Sequence, residues 1–128
     1  GRITAIDMNT GEHLWMQPNG QGPRNHPAIA ELDLPWLGQR GRAAPLLTKT
    51  LLFLGEGTEA ALSILPIAGG KFFRAWNKET GDVLWEIELA AGTSGAPMTY
   101  MSNGRQFIVV AIGDEEVPSQ LVALALAR

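Results

Sequence analysis

Short apolar runs, separated by turn residues, make up most of the chain. Residues 2–7 and 12–17 predict two strands, because a turn containing a glycine that is free to take positive φ lies between them. Residues 71–76 and 82–89 predict the same arrangement around a second glycine. These four segments therefore indicate two antiparallel hairpins.

Three further stretches complete the predicted pattern. Residues 45–57 are leucine-rich and bounded by proline and glycine, which indicates one or two strands. Residues 96–113 predict a hairpin, because Asn103-Gly104 favours a tight turn of the primed type. Residues 120–127 are compatible with a helix on propensity alone, but their position after a hairpin favours a strand. Residues 18–44 form a long connection that is rich in glycine and proline and has no steady period.

The same phrase occurs twice along the chain. Residues 5–15 read AIDMNTGEHLW and residues 75–85 read AWNKETGDVLW, with alanine, threonine, glycine, leucine and tryptophan at matching places. A repeat among many short strands favours an all-β propeller, whose blades are four-stranded sheets of about 40–50 residues. We therefore expect residues 1–17 to be the last two strands of one blade and residues 18–44 a connection. Residues 45–90 would then be a complete blade, and residues 91–128 three strands of a closing blade.

Composition and charge exclude several classes of protein. The chain has 128 residues, 45% apolar and 18% charged, which is ordinary for a folded domain and too apolar for disorder. The net charge of −3 gives no basic surface for nucleic acid. No cysteine is present for a disulfide or thiolate metal site, and no apolar run approaches the length of a membrane span. Because the sequence opens in a strand without methionine, we expect a piece of a longer protein.

The repeated phrase resembles the tryptophan-docking motif, A-x-D-x-x-T-G-x-x-x-W, of the quinoprotein dehydrogenases. Asn77 stands where the motif has aspartate, and asparagine can still accept the hydrogen bond that holds the turn. Residues 97–113 also resemble the C-terminal closing region of that family. Residues 19–36 and 58–70 depart from the family, and the latter look like a variable loop. The motif residues are Ala5, Asp7, Thr10, Gly11 and Trp15 in the first copy and Ala75, Asn77, Thr80, Gly81 and Trp85 in the second.

The resemblance implies an eight-bladed propeller that uses pyrroloquinoline quinone (PQQ) and Ca²⁺ to oxidise an alcohol, polyol or sugar hydroxyl. It further implies a periplasmic location and electron transfer to a cytochrome or quinone. In that family the metal ligands and the catalytic aspartate lie in earlier blades, so no catalytic or metal-binding residue is assigned to this chain. We expect the segment to be inactive by itself and to need the rest of the propeller.

The connection offers the candidate cofactor contacts. Trp36, Arg40 and Arg42 precede the complete blade, and a guanidinium can pair with a PQQ carboxylate. The alternative is that the arginines are solvated loop charges and that Trp36 is a local packing anchor. Two other functions stay open: a non-catalytic propeller scaffold for protein–protein interaction in the cell envelope, and a carbohydrate-binding module.

Acidic residues and histidines are weaker candidates for a site. Glu56, Glu59 and residues 114–116 could ligate a hard cation, but solvated loops are the favoured interpretation. His13 and His26 each lack a spaced second ligand, so no metal site is predicted. An incomplete propeller leaves unpaired strand edges, so we expect the isolated chain to self-associate through residues 2–7 or 120–127.

Overall fold

The structure, a computed structural model, describes residues 1–58 and 69–127. Strands form wherever the apolar runs predicted them, and residues 45–57 divide into two strands. Residues 120–127 contain a strand rather than a helix, as expected from their place after a hairpin. The strands are β1 (Arg2–Ile6), β2 (His13–Pro18), β3 (Leu46–Leu47), β4 (Leu51–Gly55), β5 (Phe72–Asn77), β6 (Val83–Glu88), β7 (Met98–Ser102), β8 (Arg105–Ile112) and β9 (Gln120–Leu124).

The strands form three antiparallel sheets in which sequence neighbours pair. The first sheet is β1–β2, the second is β3–β4–β5–β6 and the third is β7–β8–β9. The all-β prediction is therefore confirmed for the part of the chain that the structure describes. The predicted variable loop at residues 58–70 lies mostly outside the described residues.

Apolar side chains hold the sheets together in two clusters. Leu52, Leu54 and Trp76 of the second sheet pack against Ile3 and Trp15 of the first. On the other face of the second sheet, a cluster forms with the third sheet from Phe73, Leu89, Ala91, Ile108, Val110 and Ile112. The second sheet is thus buried on both faces, which is why the residues of β5 from Phe73 to Trp76 are all buried.

The third sheet has one apolar face that the described residues leave open. Met98 and Tyr100 lie opposite Val109 and Phe107 on this face, and their exposures are 53% and 40%. Leu121, opposite Ala111 on the next strand, is 74% exposed. This face therefore offers apolar surface to a neighbour.

Antiparallel order places the connections alternately at opposite ends of the strands. We call the end that gathers residues 18–45, 56–58, 69–71 and 89–97 the loop end. The opposite end holds the tight turns of the two repeats, and we call it the turn end. Contacts between sheets at these two ends give the chain its candidate sites.

Candidate functional site

At the turn end, the two copies of the repeat form turns with matching hydrogen bonds. The N–H of Gly11 donates to the carbonyl of Asp7 (2.7 Å), and Asp7 Oδ1 accepts the N–H two residues along the chain (2.7 Å). In the second copy, the N–H of Gly81 donates to the carbonyl of Asn77, and Asn77 Oδ1 accepts in the same way, both at 2.9 Å. Asn77 thus makes through its amide oxygen the contact that Asp7 makes through its carboxylate.

Threonine and alanine occupy equivalent positions in both copies. The Oγ1 atoms of Thr10 and Thr80 accept the N–H two residues along, at 3.2 and 3.3 Å. Ala5 lies directly opposite Trp15 and Ala75 directly opposite Trp85 on the neighbouring strand. The repeated sequence therefore has a repeated local structure, in which a small residue lies opposite each indole.

Trp15 joins the first sheet to the turn of the second. Its indole N–H donates to the carbonyl of Lys78 at 3.0 Å. Its ring lies against Gly81, where an added Cβ would be 2.7 Å from two ring carbons. Gly81 also has φ +77°, so both backbone conformation and the indole require glycine there. The contact covers the apolar boundary between the two sheets.

Trp85 is the equivalent residue on the second sheet, yet its surroundings differ. Trp85 lies on the face of the second sheet that contacts the third sheet. Ala75 pairs with Trp85 on one side and with Phe53 on the other, and Phe53 packs against the cluster formed with the third sheet. Trp85 nevertheless keeps 42% of its surface exposed. The indole of the first copy is therefore less exposed than that of the second.

At the loop end, the connection 18–44 closes on itself through backbone hydrogen bonds. The N–H groups of Leu37 and Gly38 donate to the carbonyls of Gln21 and Gly20, at 3.0 and 3.1 Å. The next N–H along, at position 39, donates to the carbonyl of Asn19 at 2.7 Å. Residues 22–36 thus form a compact excursion with a paired base, the geometry of an Ω-loop. Within it lie the 3₁₀ segments Gly22–Asn25 and Ala30–Leu32.

A buried ion pair lies beneath this base. Arg74 of β5 and Glu56 are 2% and 5% exposed, and Arg74 Nη1 donates to Glu56 Oε1 at 2.7 Å. Arg74 Nε donates to Glu86 Oε2 at 2.9 Å, and the Glu86 side chain is partly exposed. The Arg74 Cζ atom lies 5.0 Å from the ring centroids of both Trp36 and Phe72. The cluster therefore connects the second sheet to the connection 18–44.

The three predicted cofactor contacts lie in different surroundings. Trp36 is half-buried over Arg74. Arg42 is exposed and its backbone bridges to Thr58. Arg40 is exposed and lies near Gly1, since burial and the Arg40 guanidinium together lower the pKa of the Gly1 amino group. The structure therefore brings the two arginines to the exposed side of the segment, while Trp36 contacts the sheet.

Trp36 also lines a shallow groove between the first and second sheets. The groove has a volume of about 480 Å³ and carries no ionisable side chain. Its walls are Gln17, Pro18, Pro35, Trp36, Trp76, Gly81 and Val83, so neither Arg40 nor Arg42 contributes to it.

One expectation about the acidic residues is wrong. Glu56 was expected in a solvated loop, but it is buried because Arg74 neutralises it within the sheet. Asp114 does lie in an exposed turn, where its Oδ1 accepts the N–H groups of Glu116 and Val117. Glu59 lies outside the described residues. Sequence reasoning missed Arg74, although a lone charge among the apolar residues of a predicted strand was the signal.

Within residues 1–58 and 69–127, no group of three or more His, Cys, Asp or Glu side chains is close enough to hold a metal ion. In the same part of the chain, no helix has the length and hydropathy needed to cross a membrane.

Known proteins are similar in sequence to this chain, some of them over nearly its full length. Residues 1–108 match the PQQ family model described as glucose/ethanol/alcohol dehydrogenase, β-propeller domain. The glycerol dehydrogenase large subunit of Gluconobacter thailandicus is 34% identical over 98% of this chain and 17% of its own length. The quinate/shikimate dehydrogenase (quinone) of Acinetobacter baylyi is 31% identical over 88% of this chain and 13% of its own. Methanol dehydrogenase [cytochrome c] subunit 1 of Paracoccus denitrificans is 43% identical over 33% of this chain and 7% of its own.

The family match identifies the kind of fold to which the three sheets belong. The chain spans 17% or less of the length of these relatives. Its antiparallel sheets are accordingly part of a β-propeller. The chain belongs to the PQQ-dependent dehydrogenase β-propeller family.

Proposed function

We propose that this chain is a C-terminal propeller segment of a PQQ-dependent dehydrogenase that oxidises an alcohol, polyol or sugar hydroxyl. The observation that carries the proposal is the family match over residues 1–108. The names of the relatives support the substrate class, because they act on glycerol, methanol or quinate and shikimate. The electron acceptor is proposed to be a cytochrome or a quinone, the two that those names include.

The sheets are proposed to be parts of successive blades. Residues 1–17 would end one blade, residues 45–90 would be a complete blade and residues 91–128 would contribute three strands to a closing one. The contact of Trp15 with Lys78 and Gly81 supports this arrangement, because it joins the first sheet to the second through the repeated motif. We assign the ten motif residues to this docking role.

Part of the cofactor's surroundings is proposed to come from the connection. PQQ carries carboxylates, and the exposed guanidinium groups of Arg40 and Arg42 fit them in charge and donor geometry. Bound PQQ would accept the hydride from the substrate, and this chain's residues would bind and orient it. Trp36, half-buried on Arg74, would support the segment that carries the two arginines.

The Ca²⁺ ion and the catalytic base are proposed to be held elsewhere in the full-length protein. Within residues 1–58 and 69–127, no three His, Cys, Asp or Glu side chains come together to offer such an ion a cluster of carboxylates. We therefore derive no step of the reaction from this chain's acidic residues, and expect the segment alone to be inactive. We further propose a periplasmic location for the protein. Its partner would be the rest of the propeller, and nucleic acid would not be among its ligands.

The proposed cofactor contact can be tested on the 128-residue chain. PQQ is titrated while tryptophan fluorescence is followed, with Ca²⁺ and with a chelator. We expect saturable quenching, and weakening of at least about tenfold in the double variant Arg40→Ala/Arg42→Ala, since a charge-assisted hydrogen bond is worth about 1.5–3 kcal/mol. The matched control is Arg24→Ala, whose guanidinium pairs with the exposed Asp33 at 3.1 Å.

Each outcome of the titration has a distinct meaning. Equal affinity of the double variant and the control would remove Arg40 and Arg42 from the cofactor contact. Absence of quenching in the unaltered chain would contradict any cofactor contact here and favour the scaffold function. Activity is tested separately, with the full-length protein loaded with PQQ and an artificial electron acceptor. Failure to oxidise alcohols, polyols and sugars would contradict the dehydrogenase proposal.

A further inference from the structure

We infer that Arg74 is a positioning residue, whose buried guanidinium fixes Trp36 and with it the paired base of the connection 18–44. The inference rests on the proposed function only where it concerns Arg40 and Arg42, which follow this base in the sequence. The contacts of Arg74 themselves are independent of any cofactor. They can therefore be tested without one.

The buried charge of Arg74 is paired inside the protein. Arg74 is 2% exposed on a strand that is buried on both faces, so its guanidinium needs partners inside the protein. Glu56 supplies one at 2.7 Å and Glu86 a second at 2.9 Å, through different nitrogens of the guanidinium. Two carboxylates in different directions hold the group in one orientation, which a single partner would not do.

The Glu56 carboxylate is enclosed by two glycines. It lies between the backbones of Gly20 and Gly70, and a Cβ on either glycine would overlap it. Gly20 belongs to the base of the connection, and its carbonyl accepts the N–H of Gly38 at 3.1 Å. The ion pair is therefore in direct contact with the backbone that closes the excursion.

Trp36 connects the Arg74 guanidinium to the base of the connection. The Arg74 Cζ atom lies 5.0 Å from its ring centroid, a distance at which a cation attracts an aromatic face. Trp36 immediately precedes Leu37, whose N–H donates to Gln21 at 3.0 Å in the base. The side-chain amide of Asn19 adds a tie at the other side of the base, donating to the carbonyl of Gly55 at 2.9 Å. Both sides of the base are thus attached to the second sheet.

The arrangement needs arginine rather than lysine. A guanidinium is planar, donates in several fixed directions and stacks on aromatic rings, whereas an ammonium is a compact and strongly hydrated point charge. Only the former can bind Glu56 and Glu86 together while contacting Trp36 and Phe72. Arg74→Lys should therefore fail to restore the position of Trp36.

The test is amide hydrogen exchange of the 128-residue chain, measured by NMR without PQQ. The amides of Leu37 and Gly38 report the base, and the amides of Asn77 and Gly81 report the second sheet's turn. In Arg74→Met and Arg74→Lys, we expect exchange at the base to accelerate at least tenfold more than exchange at the turn. Arg24→Met, in the excursion and paired with the exposed Asp33 rather than with the second sheet, is the control and should leave both pairs of amides unchanged.

Uniform acceleration at the base and the turn would overturn the inference, because Arg74 would then stabilise the fold without positioning the connection. Unchanged exchange at the base would overturn it as well. If the Arg74 variants do not fold, Trp36→Leu decides, since it leaves both ion pairs intact. Exchange at the base must then accelerate tenfold relative to the turn, and failure to do so rejects the inference. Because no cofactor is present, these results are independent of whether the chain binds PQQ.

Discussion

The repeat provides a matched pair of glycines that isolates the contact of Trp15. Gly11 and Gly81 have nearly the same φ, +76° and +77°, in turns with matching hydrogen bonds. A Cβ at Gly11 would meet nothing within 4 Å, whereas a Cβ at Gly81 would be 2.7 Å from two carbons of the Trp15 ring. Replacing each by alanine therefore imposes the same backbone strain, and only one replacement displaces the indole.

The expected losses of unfolding free energy follow from the backbone strain and from the displacement of the indole. An alanine in the left-handed region costs about 1–2 kcal/mol, so Gly11→Ala should lower the free energy of unfolding by that amount. Gly81→Ala adds steric overlap worth about 1–3 kcal/mol. It also loses the indole hydrogen bond to Lys78, worth about 1 kcal/mol. The total for Gly81→Ala is about 3–6 kcal/mol.

Urea denaturation followed by circular dichroism measures both variants, with equal m-values required for a direct comparison. The same pair is then made in a Trp15→Ala background. There the cost of Gly81→Ala should fall to that of Gly11→Ala, because the indole is gone. Equal costs in the unaltered background would refute the reasoning, since they would mean that the Trp15 contact contributes nothing beyond the glycine conformation.

Two further predictions concern the turn and the open sheet. Asn77→Asp should change the free energy of unfolding by less than about 0.5 kcal/mol. Asn77→Ala should lower it by about 0.5–1.5 kcal/mol, because Asn77 Oδ1 accepts a backbone N–H at 2.9 Å. Identical urea midpoints for the two variants would contradict this role of Asn77. The isolated chain should self-associate at tens of micromolar by light scattering. Leu121→Lys, 74% exposed on edge strand β9, should reduce the average mass. Leu32→Lys, 64% exposed in the excursion, should not, and a monomeric unaltered chain would reject the prediction.

Sequence reasoning succeeded where structure is local. The tight turn at Asn103-Gly104 has φ of 49° and 72°, as a primed turn requires, and both residues lie next to each other in the sequence. The equivalence of Asp7 and Asn77 was visible for the same reason, since each turn is held by groups within a few residues.

The buried cluster was not predictable because its members are far apart in sequence and belong to different kinds of segment. Arg74 lies on a strand, Glu56 follows another strand, and Trp36 belongs to a connection without a steady period. A charge in a strand pattern usually indicates a solvated face. Only the packing of sheets on both sides of β5 makes the charge buried, and only then must a carboxylate accompany it.

Trp15 and Trp85 differ in the neighbouring turn that the described residues offer to each. Trp15 contacts the turn that follows β5, the third strand of the second sheet. The carbonyl of Lys78 accepts its indole N–H, and Gly81 leaves room for its ring. The equivalent turn for Trp85 would follow β9, the third strand of the next sheet. Within the described residues that sheet has three strands, so the surface that would cover Trp85 is not among them.

Because the turn between β5 and β6 contacts Trp15, we expect Trp85 to be covered by an equivalent turn after β9, followed by a strand that pairs with β9. The same strand would satisfy the unpaired backbone groups along the edge of β9. One addition thus meets two deficits at once, an indole that is 42% exposed and an open sheet edge. Covering the second tryptophan and pairing the edge of β9 are therefore one structural requirement, because the indole of the motif contacts the turn of the sheet next to it.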